Sequence, residues 1–281
     1  MPGIRVLAGE VGCSAGTVAR AYGALRDAGV LCGAARSRFV VARDGRAAAA
    51  RWGTGVAALR LAGSDDPALD LLIREAGGSV SLAAGPRGSV HGLVGLARGT
   101  ADAAAVHLLD VARGSWNDHL ARGALVGEPV RLVHLWRREQ GLVLPPGNPQ
   151  GIGGVADLGC RRIAYRPPGT GSRLLLEHLM LRAGCDPRPE LGVLADSHLG
   201  VAAAVASGAA EVGLAVRAVA ESARLDWVPV TSEPFELAIP AGCEQAAEPL
   251  TDCLAGSALQ RRLAAMPGYD LSMSGDMRIA A

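Results

Sequence analysis

The sequence contains no lysine, and all 28 basic residues are arginines. That removes lysine-dependent chemistry at once: no Schiff base forms, and no phosphate-loop lysine is available. No apolar run approaches the ~18 residues that a membrane-crossing helix needs. The first residues, Met1-Pro2-Gly3-Ile4-Arg5, lack the apolar segment of a secretory signal, so a cytoplasmic location is expected. Six cysteines occur without a single C-x-x-C pair, a pattern that suits neither a zinc site nor a disulfide scaffold and predicts free thiols. The six histidines show no metal spacing and no H-E-x-x-H, so no metal is expected. No nucleophile–base pair is readable. The expectation is therefore a binding protein rather than an enzyme, with no cofactor.

What is present is a chain of 281 residues, 49% hydrophobic and 20% charged, enough for a sizeable core and about two domains. The net charge of +1 conceals an asymmetry. Residues 1–51 carry a formal charge of +5 and the remainder −4. A basic head on an acidic body suggests that the head alone meets a polyanion.

In the head, Ile4 to Gly12 reads as a short helix with Ile4, Leu7, Ala8 and Val11 on one face and Gly12 just past its end. Ser14 is a good N-cap for a second helix over about 15–28, with Thr17 at its N3 position and Val18, Tyr22 and Leu25 facing inward. Two helices joined by a tight turn form a helix-turn-helix pattern. The strand-like segments 30–32 and 38–41, with a turn at 33–36, then form a wing. Gly12-Cys13-Ser14-Ala15-Gly16 also satisfies G-x-S-x-G, but the segment before it is helical rather than the strand a hydrolase elbow requires.

Ile4-Arg5-x-Leu7-Ala8, Gly12-Cys13-Ser14-x-Gly16-Thr17-Val18-x-Arg20-Ala21-Tyr22 and Gly29-Val30-Leu31 resemble the winged helix-turn-helix of GntR-type regulators. The resemblance covers about residues 2–42. The family has a further helix ahead of Pro2, where this chain starts, and usually an arginine at the position of Ala15. The resemblance implies DNA as partner, with Arg5, Ser14, Thr17, Arg20, Arg36 and Arg38 as contact residues. Residues 1–43 are taken as this domain and 44–55 as a linker.

From Val56 the period changes. Strands are expected over 56–63, 79–84 and 102–107, with helices over 68–76 and from Ser89 to about Arg98. Asp66 is a natural N-cap and Pro67 a natural first helical residue. A second unit begins after Gly147, with strands at 161–165, 191–195, 211–216 and 226–230 and helices at 174–183 and 199–207. Strands 130–135 and 236–239 connect the two units, and a helix from about Leu250 to Met266 returns to the first. The fold class is α/β with a mostly parallel sheet. Gly151-Ile152-Gly153-Gly154 imitates a dinucleotide fingerprint, but no strand precedes it.

Ala62-Gly63-Ser64-Asp65-Asp66, Glu139-Gln140-Gly141-Leu142, Gly147-Asn148-Pro149, Arg166-Pro167-Pro168-Gly169-Thr170-Gly171-Ser172-Arg173 and Ser197-His198-x-x-Val201-Ala202 carry a second resemblance. Together they resemble the two-lobed periplasmic-binding-protein type II architecture, in its branch fused to regulators and related to molybdate- and tungstate-binding proteins. The resemblance implies a substrate-binding domain over 56–281. Lobe I would span about 56–131 and 236–281, and lobe II about 136–232.

An oxyanion keeps its charge on binding, so its site must replace water with donors. N–H groups at helix N-termini do this without a countercharge. Four such openings follow predicted strands: Ser64-Asp65, Gly88-Ser89, Thr170-Gly171-Ser172 and Ser197-His198. Arg173 either faces the anion or pairs with Glu177 four residues on; both readings stand. The expectation is a one-component transcriptional regulator that senses a molybdate- or tungstate-like oxyanion, with a homodimer left open as its assembly and no membrane contact. The alternatives are a sensor without DNA binding, or a solute receptor.

Overall fold

The structure, a computed structural model, describes residues 1–27, 29–33, 39–42 and 58–281. The chain divides into two compact units. One comprises Met1–Ala58 with Ala241–Ala246, and the other Leu59–Pro240 with Ala247–Ala281. Arg36, Arg38 and the expected linker over 44–55 lie outside the described residues.

In the first unit, helix α1 spans Ile4–Glu10 and α2 spans Ala15–Asp27. Strands β1 (Leu31–Cys32) and β2 (Val40–Val41) pair antiparallel. Gly12, at φ 68°, takes the left-handed conformation that ends α1 and turns the chain toward α2. Ser14 Oγ accepts from the Thr17 N–H at 3.0 Å, which is the N-cap the sequence indicates. Ala8, Val18, Tyr22, Val30, Leu31 and Phe39 form the core, with Tyr22 and Phe39 edge to face at 5.2 Å. Val11, expected on the inner face, is 60% exposed because α1 has already ended at Glu10.

The second unit opens with β3 (Leu59–Gly63), α3 (Pro67–Ala76) and β4 (Val80–Leu82). It continues through α4 (Ser89–Ala97), β5 (Ala103–Val106), a hairpin of β6 (Leu109–Asp110) and β7 (Ser115–Trp116), and α5 (Asp118–Ala124). Asp66 Oδ1 accepts from the Ala68 and Leu69 N–H groups, and Pro67 follows it as the first helical residue. Strand β8 then runs unbroken from Val130 to Leu144.

Beyond it come β9 (Ile163–Tyr165), α6 (Gly171–Arg182), β10 (Val193–Leu194), α7 (His198–Ala206), β11 (Val212–Val216) and α8 (Arg217–Ser222). A second long strand, β12, covers Asp226–Pro240. The chain closes with α9 (Glu244–Leu254), α10 (Ser257–Ala264), β13 (Tyr269–Asp270) and β14 (Met277–Ile279). The single C-terminal helix expected over about 250–266 is thus two helices, parted at Ala255-Gly256. Helix α6 begins three residues earlier than the sequence indicates, which puts Ser172 and Arg173 in its first turn.

One ten-stranded sheet runs β10-β9-β11-β8-β12-β5-β3-β4, with β13 and β14 also pairing β8. Its two ends are parallel, β3 with β4 and β5 on one side and β9 with β10 and β11 on the other. The centre is antiparallel: β8 and β12 pair along their whole length, so they belong to both lobes. The sequence indicates only 130–135 of β8, and two separate pieces of β12, because polar residues interrupt their apolar pattern midway. In lobe II, Leu142 and Leu144 pack with Leu175 and Leu176 of α6, while Val143 packs with Val201 and Val205 of α7. This period of two places a helix layer on each face of the sheet. Among the described residues, no helix is long and apolar enough to cross a membrane.

Candidate functional site

Where β8 and β12 pass from one lobe to the other, Arg138 lies opposite Glu233. Both side chains are fully buried. Arg138 donates through Nε to Glu233 Oε1 at 2.9 Å and through Nη1 to Asp66 Oδ2. Its guanidinium lies 4.4 Å over the Phe235 ring, which stacks on Trp136 at 5.6 Å. Gln140 Nε2 also donates to Glu233 Oε1, and His107 Nδ1 sits 2.9 Å from the same oxygen. Tyr269, from β13, donates its hydroxyl to Asp66 Oδ2 at 2.9 Å. Burial raises the Asp66 pKa against these donors. Burial also opposes ionisation of Glu233, but His107 and Arg138 outweigh it and its pKa falls.

A second ion pair joins the lobes directly. Arg166, just beyond β9, donates through Nη2 to Asp65 Oδ1 and to the Asp196 carbonyl at 3.0 Å. The other Asp65 oxygen accepts from the backbone N–H of His198, the first residue of α7, at 3.3 Å. Burial opposes ionisation of Asp65, yet the His198 ring and the Arg166 guanidinium outweigh it and hold the carboxyl well below its ordinary range. Burial and then the Arg166 charge push His198 well below the usual imidazole range, so its ring is neutral at pH 7. Burial lowers His107 as well.

The lobes also touch through backbone. Val90 N donates to the Gly169 carbonyl at 3.1 Å. A side chain on Gly171 would meet the His107 carbonyl oxygen at 2.2 Å, so only glycine permits this approach. Beside these contacts lies a cavity of about 630 Å³. Asp65, Asp66 and Arg87 wall it from lobe I, and Ser197, His198 and Val219 from lobe II.

Several buried polar atoms around this interface have no hydrogen-bond partner: Arg166 Nε, both ring nitrogens of His198, Gln140 Oε1 and Glu233 Oε2. Arg87 Nε joins them. Native interiors leave few such groups, and ordered water or a ligand is what ordinarily satisfies them.

The ten residues expected to hold ligand fare unevenly. Ser64 and Ser89 are buried, but their hydroxyls bond each other at 2.7 Å, and Ser89 Oγ also accepts from His107 N. Gly88 is the residue before α4, its N–H bound to the Gly63 carbonyl at 2.9 Å. Thr170 precedes α6 and donates its hydroxyl to the Pro167 carbonyl at 2.8 Å. Gly171 and Ser172 are buried in the first turn of α6. Ser197 caps α7, accepting from Gly200 N at 2.9 Å. Arg173 pairs with Glu177 in a mostly buried position: Nε donates to Glu177 Oε1 at 2.7 Å and Nη1 to the Arg166 carbonyl. Of the ten, Asp65, Ser197 and His198 line the cavity.

The sequence reading gave no ligand role to Arg138, Gln140, Glu233, Arg166 and His107. A usable signal existed: Arg137-Arg138-Glu139-Gln140 puts four consecutive polar residues into the middle of a mostly apolar stretch from Val130 to Leu144. Polar residues at the centre of a buried strand need partners, and such partners make sites. Among the described residues, no group of three or more His, Cys, Asp or Glu is arranged to hold a metal ion. In the first unit, Arg5, Ser14, Thr17 and Arg20 are exposed.

A family model described as a PBP superfamily domain matches residues 71–253, more than half of the chain. The chain belongs to the PBP superfamily. Its PBP-like fold is shared with a histidine kinase sensor domain similar to periplasmic binding proteins, at TM-score 0.51 and 13% identity, covering 75% of this chain and 96% of that one. A periplasmic transporter aligns at TM-score 0.55 and 13% identity, over 78% of this chain and 89% of that one. The tungstate ABC transporter from Geobacter sulfurreducens aligns at 0.50 and 17%, over 73% and 97%. Among curated proteins, the uncharacterized protein YvgK of Bacillus subtilis (strain 168) is 28% identical over 193 residues, 67% of this chain. The match spans 63% of YvgK's own length. A PBP-like unit of this kind binds small ligands, and the interlobe cavity is where its two lobes converge.

Proposed function

We propose that this protein is a ligand-responsive regulator: its two-lobed unit holds a small molecule between the lobes, and its basic head binds DNA. One observation carries the ligand reading. His198 is 1% exposed, neither of its ring nitrogens has a hydrogen-bond partner, and it stands in the wall of the interlobe cavity. A neutral imidazole offers one donor and one acceptor, and Arg87 Nε, in the same wall, offers a further donor. An oxyanion or carboxylate group on the ligand fits these donors. Molybdate and tungstate therefore head the test panel, a choice supported by the resemblance and by the tungstate transporter that shares the fold. Closure of the lobes is the two-state element, and a ligand that binds the closed form better shifts it.

For the head, the reading rests on a capped second helix that exposes Thr17 and Arg20 near its start, with Arg5 exposed on α1. The start of such a helix is the end that enters a major groove. The charge of +5 over residues 1–51 suits phosphate contact. Arg36 and Arg38 stay in this proposal as phosphate contacts.

The test is the melting midpoint of the full chain against molybdate, tungstate, sulfate, phosphate and small carboxylates. A ligand bound by the native state alone raises the midpoint, and His198→Ala abolishes that rise. A shift that survives His198→Ala unchanged refutes the site.

A further inference from the structure

Lobe II holds a set of anion donors beside the cavity, and a side chain of lobe I already occupies it. Arg166 is only 3% exposed, and its Nη2 donates across the interface to Asp65 Oδ1. The other carboxylate oxygen accepts from the N–H of His198, the first residue of the nine-residue helix α7, at 3.3 Å. A guanidinium and a helix N-terminus converging on one carboxylate are the donors that would hold a free carboxylate. Arg166 Nε is buried with no partner, so Asp65 does not use every donor of this seat.

The occupying carboxylate is fixed to the opposite lobe. Ser64 N donates to the Ala105 carbonyl at 2.9 Å, and Asp66 Oδ1 accepts from the Ala68 and Leu69 N–H groups at the start of α3. Asp65, held between these two anchors, moves only with lobe I. Asp65, Ser197 and His198 line the cavity, whereas Arg166 does not. Cutting back the Asp65 side chain therefore opens a way from the cavity to the guanidinium.

Going beyond the ligand reading above, we propose that Asp65 is a built-in occupant of a carboxylate seat in lobe II, and that by filling it Asp65 latches the two lobes together without a ligand. Because it is tethered, Asp65 competes at an effective concentration that a free anion must exceed. Small carboxylates do not enter the seat of the wild-type chain, and they do enter once the Asp65 side chain is shortened.

The full chain and its Asp65→Ala variant are melted with formate at constant ionic strength, with chloride as the replacing salt. Asp65→Ala leaves the buried Arg166 charge unpaired, so its midpoint falls below that of the wild type. Formate raises the variant midpoint by ~3–6 °C at ten times its Kd and leaves the wild type unmoved. Arg166→Met in the Asp65→Ala background abolishes that rise. Formate fills the seat but ties nothing to lobe I, so small-angle scattering shows a larger radius of gyration for Asp65→Ala than for the wild type, with or without formate. Asp65→Asn keeps an acceptor for the His198 N–H and blocks the seat; it loosens the lobes and gives no formate response. A rise that is absent from Asp65→Ala, equal in the wild type or retained with Arg166→Met overturns the seat. A radius unchanged in both Asp65 variants overturns the latch. If Asp65→Ala does not fold in chloride, recovery of folding in formate supports the seat and no recovery overturns it. The ligand site, tested through His198→Ala, stands whichever way these results fall.

Discussion

Replacing Arg138 by methionine tests the centre of the site. The side chain is fully buried, bonded to Glu233 and Asp66, and stacked over Phe235. Methionine keeps much of the aliphatic length over the ring and removes the charge. Asp66 and Glu233 are then left in the interior with Tyr269, Gln140, His107 and backbone donors but no guanidinium. Breaking a buried pair on one side costs about 3–5 kcal/mol. In a unit of this size about 1 kcal/mol moves the midpoint by ~2–4 °C, so the melting point falls by roughly 6–20 °C. A double variant, Arg138→Met with Glu233→Gln, loses less than the two single losses combined, because the carboxylate left uncompensated by the first change is itself removed. The coupling falls in the usual range of about 0.5–3 kcal/mol for residues in contact.

The pH dependence supplies an independent sign. In Arg138→Met both carboxyls lose their guanidinium, so both folded-state pKa values rise, and that of Asp66, already raised by burial, moves further above the unfolded one. Protonation then favours the folded state, and the deficit shrinks as the pH falls from 7 toward 4. Urea unfolding at several pH values reads both quantities. A loss below about 1 kcal/mol at pH 7, with no narrowing in acid, refutes the argument that this arginine neutralises buried charge.

Three further outcomes follow from particular contacts. Glu236 accepts from Asn117 at 2.8 Å and from both terminal nitrogens of Arg278 on β14. Burial opposes ionisation of Glu236, but His134, Arg278 and Asn117 outweigh it and lower its pKa to about 2. Its contribution to stability is complete above about 4.5 and lost as the pH falls toward 2, so Glu236→Gln flattens that part of an acid-unfolding curve. Gly171→Ala places a methyl group against the His107 carbonyl and props the lobes apart; small-angle scattering shows a larger radius of gyration, and an unchanged radius counts against a closed interface. Ser14→Ala removes the cap of α2 and costs about 1 kcal/mol in thermal unfolding of the first unit, while a neutral result shows that the Thr17 N–H finds another acceptor.

Local chemistry was legible from the residues alone. Ser14, Asp66 with Pro67, and Ser197 are all caps in the structure, because a cap is an interaction across two or three positions. The Arg173–Glu177 pair, four residues apart on one helix, was one of two readings the sequence left open, and it forms in the structure. The alternation of strand and helix was legible too, since a helix and a strand each impose a fixed period on their apolar residues. The buried charged network beside the cavity obeys a different rule. Arg138 meets Asp66 across 72 positions and Glu233 across 95, Arg166 meets Asp65 across 101, and Tyr269 meets Asp66 across 203. Their partners depend on the register of β8 against β12, on the bulges near Pro229 and Phe235, and on how closely the lobes approach at Gly171. Apolar patterning indicates which face of a strand is buried. Only the assembled sheet decides which charges share that interior, and there the cost of desolvation makes their pairing the feature that defines the site.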